Sequence, residues 1–294
     1  MKNQLFILLL LCTASLVAQP INNEVNADGK SPKLLGKINQ EGLSNNSYAS
    51  WFLKNHSAYE PNSEIISQIK DELSEYTIEL FMGTWCGDSK REVPRFYKVL
   101  EVSGFPMERL TAVAVDRDSA FYKQSPGGEQ EGKNIHRVPT LIFYKNGVEV
   151  NRITESPVTT LEADIAEIIA GDYIPNYFGV SMVNDLLEQV ALEKFNKKSR
   201  KLQPELKAEI SNRYELNTYA RILFGTGRKE QAIAVYRLNT LLFPDEVGTY
   251  LSLANTLGVM GDHDEAIATY KKALAVDPEN KEAAQSLEYI KSKI

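Results

Sequence analysis

The sequence predicts an α/β domain followed by an all-α domain of helical repeats, and three observations carry that reading. First, a β-prone run, Tyr76-Thr77-Ile78-Glu79-Leu80-Phe81-Met82, enters the tight Gly83-Thr84-Trp85-Cys86-Gly87 segment. A helical pattern leaves it, with Val93, Phe96, Tyr97 and Leu100 at i, i+3, i+4 and i+7. Second, Val138-Pro139-Thr140-Leu141-Ile142-Phe143-Tyr144 runs as a strand into Lys145-Asn146-Gly147-Val148, whose Asn-Gly marks a hairpin turn. Third, Leu223, Gly227, Ala232, Ile233, Ala234, Tyr236 and Pro244 recur 34 residues later as Leu257, Gly261, Ala266, Ile267, Ala268, Tyr270 and Pro278.

The 294 residues are enough for about two domains. Apolar residues at 43% and charged residues at 24% leave ample material for a core. A net charge of −6, with no basic patch interleaved with aromatics, argues against a nucleic-acid partner.

In chain order, residues 1–19 read as a secretory signal. Lys2 is its positive start, Leu5 to Leu11 its apolar run, and Leu16-Val17-Ala18 a small-residue exit. The apolar run is too short to span a membrane, and no other stretch is long enough. Cys12 raises lipid attachment as an alternative, but Leu11 precedes it where a small residue is wanted. Export to a periplasm or outside the cell is therefore expected, with no membrane span after cleavage. Residues 20–46 are polar and aperiodic and are expected to be a flexible lead-in.

The first domain is expected over 47–175. Tyr48, Trp51 and Phe52, then Ile65, Ile66, Ile69 and Leu73, mark two amphipathic helices. Leu110-Thr111-Ala112-Val113-Ala114-Val115-Asp116 reads as a buried strand, and 124–129 as a loop. Leu161, Ile165, Ile168 and Ile169 form a closing helix that stops near Gly171.

Cys86 stands at the mouth of the helix that follows it, where unpaired backbone N–H groups and the helix dipole favour an anion. Such a placement makes a thiol a nucleophile rather than a packing residue. Lys90 and Arg91 act in the same direction, while Asp88 opposes them. If Cys12 departs with the signal, Cys86 is the single cysteine, so no internal disulfide is possible. It would be open instead to mixed disulfides or oxidation.

These residues resemble the thioredoxin-like superfamily. Trp85, Cys86, Gly87 and Lys90 match its Trp-Cys-Gly-x-Cys-Lys block, and Pro94 matches the proline inside its active-site helix. The Val138 to Gly147 run looks like its cis-proline strand and turn. The resemblance covers roughly residues 47–172 and implies a central mixed sheet flanked by helices. Two departures stand out: Ser89 replaces the second cysteine, and Leu80 lies where the family has a buried acid, with Glu79 expected on the opposite face.

The resemblance implies monothiol exchange. Cys86 would attack a disulfide or oxidised thiol on a protein partner, with Gly87 and Ser89 stabilising the sulfur anion. Trp85 would shape the groove lip, and the Val138 backbone beside Pro139 would align the partner as an added strand. Resolution would need an outside thiol or a second cysteine on the partner. No cofactor and no metal are expected.

Residues 176–212 read as a charged helical connector, with a basic run from Lys194 to Lys201 as a solvated face. Residues 213–294 carry the repeat. Its period, the small Ala232 and Ala266 where paired helices cross, and the prolines after each pair resemble the tetratricopeptide repeat. Residues 281–293 form a capping helix, and the resemblance implies a protein partner for this domain.

Other chemistries find little support. His56, His136 and His263 have no metal-ligand spacing, and His136 is expected on the surface despite its nearness in sequence to Pro139. Gly87-Asp88-Ser89 echoes an esterase block, but no histidine follows an aspartate by three positions. No phosphate-cradling motif is present. The remaining alternative is a non-catalytic scaffold, in which the repeats bind and Cys86 is a relic. Thiol reactivity separates the two.

Overall fold

The computed structural model describes residues 20–26, 29 and 31–294. The expected signal at 1–19, with Cys12, lies outside the described residues. Six strands form one mixed sheet: β1 (Asn23–Val25), β2 (Lys33–Ile38), β3 (Thr77–Met82), β4 (Leu110–Ala114), β5 (Thr140–Lys145) and β6 (Val148–Thr154). Their order is β1-β2-β4-β3-β5-β6. Only β3 and β4 run parallel, with Leu80 beside Ala112, and the connection between them carries the helix that follows Cys86.

The stretch 20–46 is not a flexible lead-in as expected. It supplies two strands, and β2 pairs antiparallel with β4, Gly36 opposite Ala114. Leu34, Leu35 and Ile38 are buried in the sheet. Lys33, which reads as a surface residue, is buried as well because Asp116 and Asp118 both accept from its ammonium. The sheet domain therefore begins well before residue 47.

Alternation along β3 divides the core. Ile78, Leu80 and Met82 face a large apolar cluster, while Phe81 faces a small one with Val113, Val115, Ile135, Val138 and Ile142. The large cluster is covered by α1 (Gln40–Leu43), α2 (Asn46–Ser57), α3 (Ser63–Leu73), α4 (Gly87–Ser103) and α5 (Leu161–Ala170). Phe52 of α2 meets Tyr97 of α4 edge-on at 5.7 Å, and Phe96 meets Phe143 at 6.4 Å. Helix α4 ends on Gly104 and α5 on Gly171, both left-handed. The β5–β6 turn uses Asn146 and Gly147 with φ of 55° and 77°, the hand that suits a two-residue hairpin.

The C-terminal part is all helix. The connector forms α6 (Phe178–Gln189), α7 (Leu192–Lys201) and α8 (Gln203–Glu209). Two helical pairs follow, α9 (Arg213–Gly225) with α10 (Lys229–Leu242) and α11 (Val247–Met260) with α12 (His263–Val276), and α13 (Lys281–Lys291) comes last. The repeat extends to the backbone: the Arg228 N–H reaches the Leu223 carbonyl at 2.9 Å, and the Asp262 N–H reaches that of Leu257 at 3.0 Å. Both turns pass through a glycine at φ 85°, which only glycine takes without strain. Two pairs bury too little by themselves. Val180, Val183, Leu187, Phe195, Leu206 and Ile210 of the connector complete their core. Among the described residues, no helix is long and apolar enough to cross a membrane.

Candidate functional site

Cys86 is the N-cap of α4, in extended conformation, with its amide bonded to the Gly83 carbonyl at 2.9 Å. Its side chain does not cap the helix, so the first-turn amides of α4 keep their pull on an anion. The thiol is free and half-buried, and Sγ lies 3.2 Å from the carbonyl oxygen of Val138. The Val138–Pro139 peptide bond is cis. Strand β5 begins at Thr140, so Val138 lies just ahead of the sheet pairing and directly beside the sulfur.

The two glycines of the turn differ in purpose. A Cβ on Gly83 would come within 2.5 Å of the Trp85 ring, so Gly83 lets that ring fold over the turn. Trp85 is fixed there by Nε1, which donates to the Val115 carbonyl at 2.9 Å. A Cβ on Gly87 would meet nothing, so glycine leaves the approach to the sulfur open.

Ser89 is fully buried, and its Oγ accepts from the Gly83 amide at 3.2 Å. Its oxygen thus ties the turn to α4, a structural contact that the expectation of sulfur stabilisation did not include. Leu80 is fully buried in apolar surroundings. Glu79 is engaged by Lys133 at 2.7 Å and by the Tyr144 hydroxyl at 2.9 Å.

The rim of the site runs into the repeats. Tyr122 lies 6.2 Å from the Trp85 ring, and the Arg221 guanidinium of α9 sits 4.2 Å from the centre of the Tyr122 ring. Gln124 donates to the Gly225 carbonyl at 3.3 Å. A cleft of about 530 Å³ separates the 123–135 excursion from α6 and α9, lined in part by Lys123, Asn134, Asn184, Tyr219 and Arg228.

His136 is not on the surface as expected. It is 2% exposed, edge-on to Tyr177 at 5.9 Å and to Tyr219 at 6.2 Å. Burial, with Lys123, Arg137 and Arg152 nearby, pushes its imidazole down to about 3, against a weaker pull from the Asn134 carbonyl. Lys123 is the residue that sequence reasoning missed. It is 5% exposed, and its Nζ donates to the His136 carbonyl and sits 4.8 Å from the Tyr122 ring centre. Burial pushes its amine down to about 7, with Arg137 and Arg221 adding to the shift and Cys86 and Glu155 opposing it. A lysine in a polar loop carries no signal of burial. Among the described residues no three His, Cys, Asp or Glu side chains gather where they could hold a metal ion.

Parts of the chain are similar in sequence to known proteins. Thioredoxin-2 of Saccharomyces cerevisiae is 30% identical over 89 residues, covering 29% of this chain and 73% of that protein. The chain belongs to the thioredoxin family. The thioredoxin of Malassezia sympodialis is 26% identical over 87 residues, 30% of this chain and 75% of its own. Residues 248–280 match the tetratricopeptide repeat family. The molecule thus joins a thioredoxin fold to a tetratricopeptide repeat.

Proposed function

We propose that the protein is an exported monothiol exchange protein that forms mixed disulfides with protein partners through Cys86, using the repeats to hold them. The observation that carries this reading is the contact between Cys86 Sγ and the Val138 carbonyl. As a thiol the sulfur donates to that oxygen. As a thiolate it has no proton to donate, and the contact becomes a repulsion between two electron-rich atoms. Ionisation therefore prepares the nucleophile and releases the Val138 carbonyl for a partner's strand in one event.

The thiolate attacks one sulfur of the partner's disulfide, a new S–S bond forms at Cys86, and the second sulfur leaves as a thiolate. An outside thiol, or a second cysteine on the partner, then displaces Cys86. Gly87 keeps the approach open, Trp85 and Pro139 shape the groove, and Ser89 holds the turn rigid beneath the sulfur. Protein partners carrying thiols or disulfides fit this chemistry. Non-reducing electrophoresis of the tagged protein from its native compartment tests it: adducts that collapse with dithiothreitol and vanish in Cys86→Ala are expected, and identical patterns for both proteins would overturn it.

Export rests on the 1–19 pattern. A purified protein whose first residue falls close to Gln19 is expected, and an intact Met1 would refute it. The scaffold reading is favoured by Ser89 and Leu80, which remove the resolving thiol and the buried acid. On that reading Cys86→Ala leaves partner capture unchanged.

A further inference from the structure

We propose that Lys123 is a second functional group of the Cys86 site, an electrostatic partner that favours the thiolate and gives up a proton as the sulfur is consumed. This rests on the monothiol reading above. Two donors grip the loop ahead of Pro139: Lys123 Nζ bonds the His136 carbonyl and Cys86 Sγ bonds the Val138 carbonyl. Two residues span at most about 7 Å of chain, so the amine and the thiol act on one short segment. Cys86 is among the charges that act on the Lys123 amine, and nearby charges inside a protein change each other's proton affinity.

The surroundings support the assignment. Among the described residues no carboxylate is hydrogen-bonded to the Lys123 ammonium; a carbonyl and the Tyr122 ring receive it. Arg137, Arg221 and Glu155 act on its charge, and Glu131, Glu188 and Arg228 line the same cleft, Glu188 paired with Arg228. Arg137 is bonded to Glu155 at 3.3 Å, so that carboxylate is already shared. On the α4 side, Asp88 is taken up by Arg91 at 2.9 Å. The thiolate of Cys86 is, with Glu155, an anion that acts on Lys123, and among the described residues no cation is paired with it by direct contact. Burial lowers the proton affinity of the amine towards neutrality, and Lys123 lines the 530 Å³ cleft, which gives its proton a way out.

The thiol–amine pair rearranges to a thiolate–ammonium pair with no net gain or loss of protons. When the thiolate attacks a partner's disulfide, its charge passes to the departing sulfur. Lys123 then lacks a counter-charge and releases its proton, which balances the new thiolate as a thiol. The family's buried acid is missing here, Leu80 standing in its place. Lys123 supplies a proton carrier in its stead.

The test is the rate of Cys86 alkylation by iodoacetamide against pH, on the full mature chain. Lys123→Met is expected to slow alkylation at pH 7 about tenfold, the factor that one unit of lost charge stabilisation gives. Lys123→Arg, which keeps the charge, is expected to stay within about threefold of the parent. Superimposable profiles for the parent and Lys123→Met would overturn the proposal. Should the methionine variant fail to fold, the Lys123 titration can be followed by NMR in the parent and in Cys86→Ser. It is expected to move to lower pH without the thiol, and an unmoved titration would overturn the proposal equally. Alkylation reads the sulfur and not the partner. A positive result without cellular adducts would leave Lys123 in its role and refute only the exchange function.

Discussion

On one face of the sheet, Phe52, Leu80, Phe96, Leu100, Phe143 and Ile165 form a large apolar cluster beneath five helices, and the buried Glu162 and Asp164 there are hydrogen-bonded to Tyr59 and Tyr173. On the other, six apolar side chains share the space with buried Lys123, His136, Ser125 and Gln130. That face is covered by the 115–139 excursion and, beyond it, by α9 of the repeats. Among the described residues, buried side-chain atoms of Asn134, His136 and Arg137 have no hydrogen-bond partner, nor has one oxygen of Glu92 on the first face. Unpaired buried polar groups cost stability. The first face holds the fold, and the second gives up stability to keep titratable groups beside a cysteine.

The sharpest way to test that contrast is to cut each face. Phe96→Ala removes a fully buried ring that meets Phe143 edge-on, and is expected to cost about 3–5 kcal/mol in chemical denaturation at any pH. On the other face, His136 titrates near 6.5 when unfolded and near 3 when folded. The unfolded chain therefore binds the extra proton between these values, and stability falls as pH drops through that window. The loss is on the order of 3 kcal/mol between pH 7 and pH 4. His136→Phe keeps a ring between Tyr177 and Tyr219 and is expected to remove most of this acid loss, as read from denaturation midpoints at the two pH values.

Lys123→Met follows the same logic with another window. The folded amine releases its proton near 7 and the unfolded one near 10.5, so the buried charge weakens the parent most at low pH. The variant is expected to melt about 5 °C higher at pH 6, with the gap closing as pH rises towards 10. The smallest effect expected is that of Arg221→Ala, which removes the cation over Tyr122. It should cost about 0.5–1 kcal/mol, and a loss several times larger would mean that the repeats do more to hold the site than this contact explains.

The difference between the faces also decides what was legible in the sequence. Val93, Phe96, Tyr97 and Leu100 announce α4 by period, and all four are buried. The 34-residue repeat announces α9 to α12 because each pair reuses the same turn and crossing. Strand β2 was hidden because Lys33 and Gly36 break its apolar pattern. Its burial depends on Asp116 and Asp118, more than eighty residues away. Lys123 and His136 were hidden for the same reason. Their burial comes from Tyr122, Tyr177 and Tyr219, which no local period links to them.

The most direct test of the central claim is the intact mass of the reduced mature protein after mixing with a peptide disulfide at pH 7. One peptide mass added per chain, absent in Cys86→Ala and lost on adding dithiothreitol, is the predicted result. A parent protein that stays at its own mass while free thiols of the same solution exchange would contradict the account.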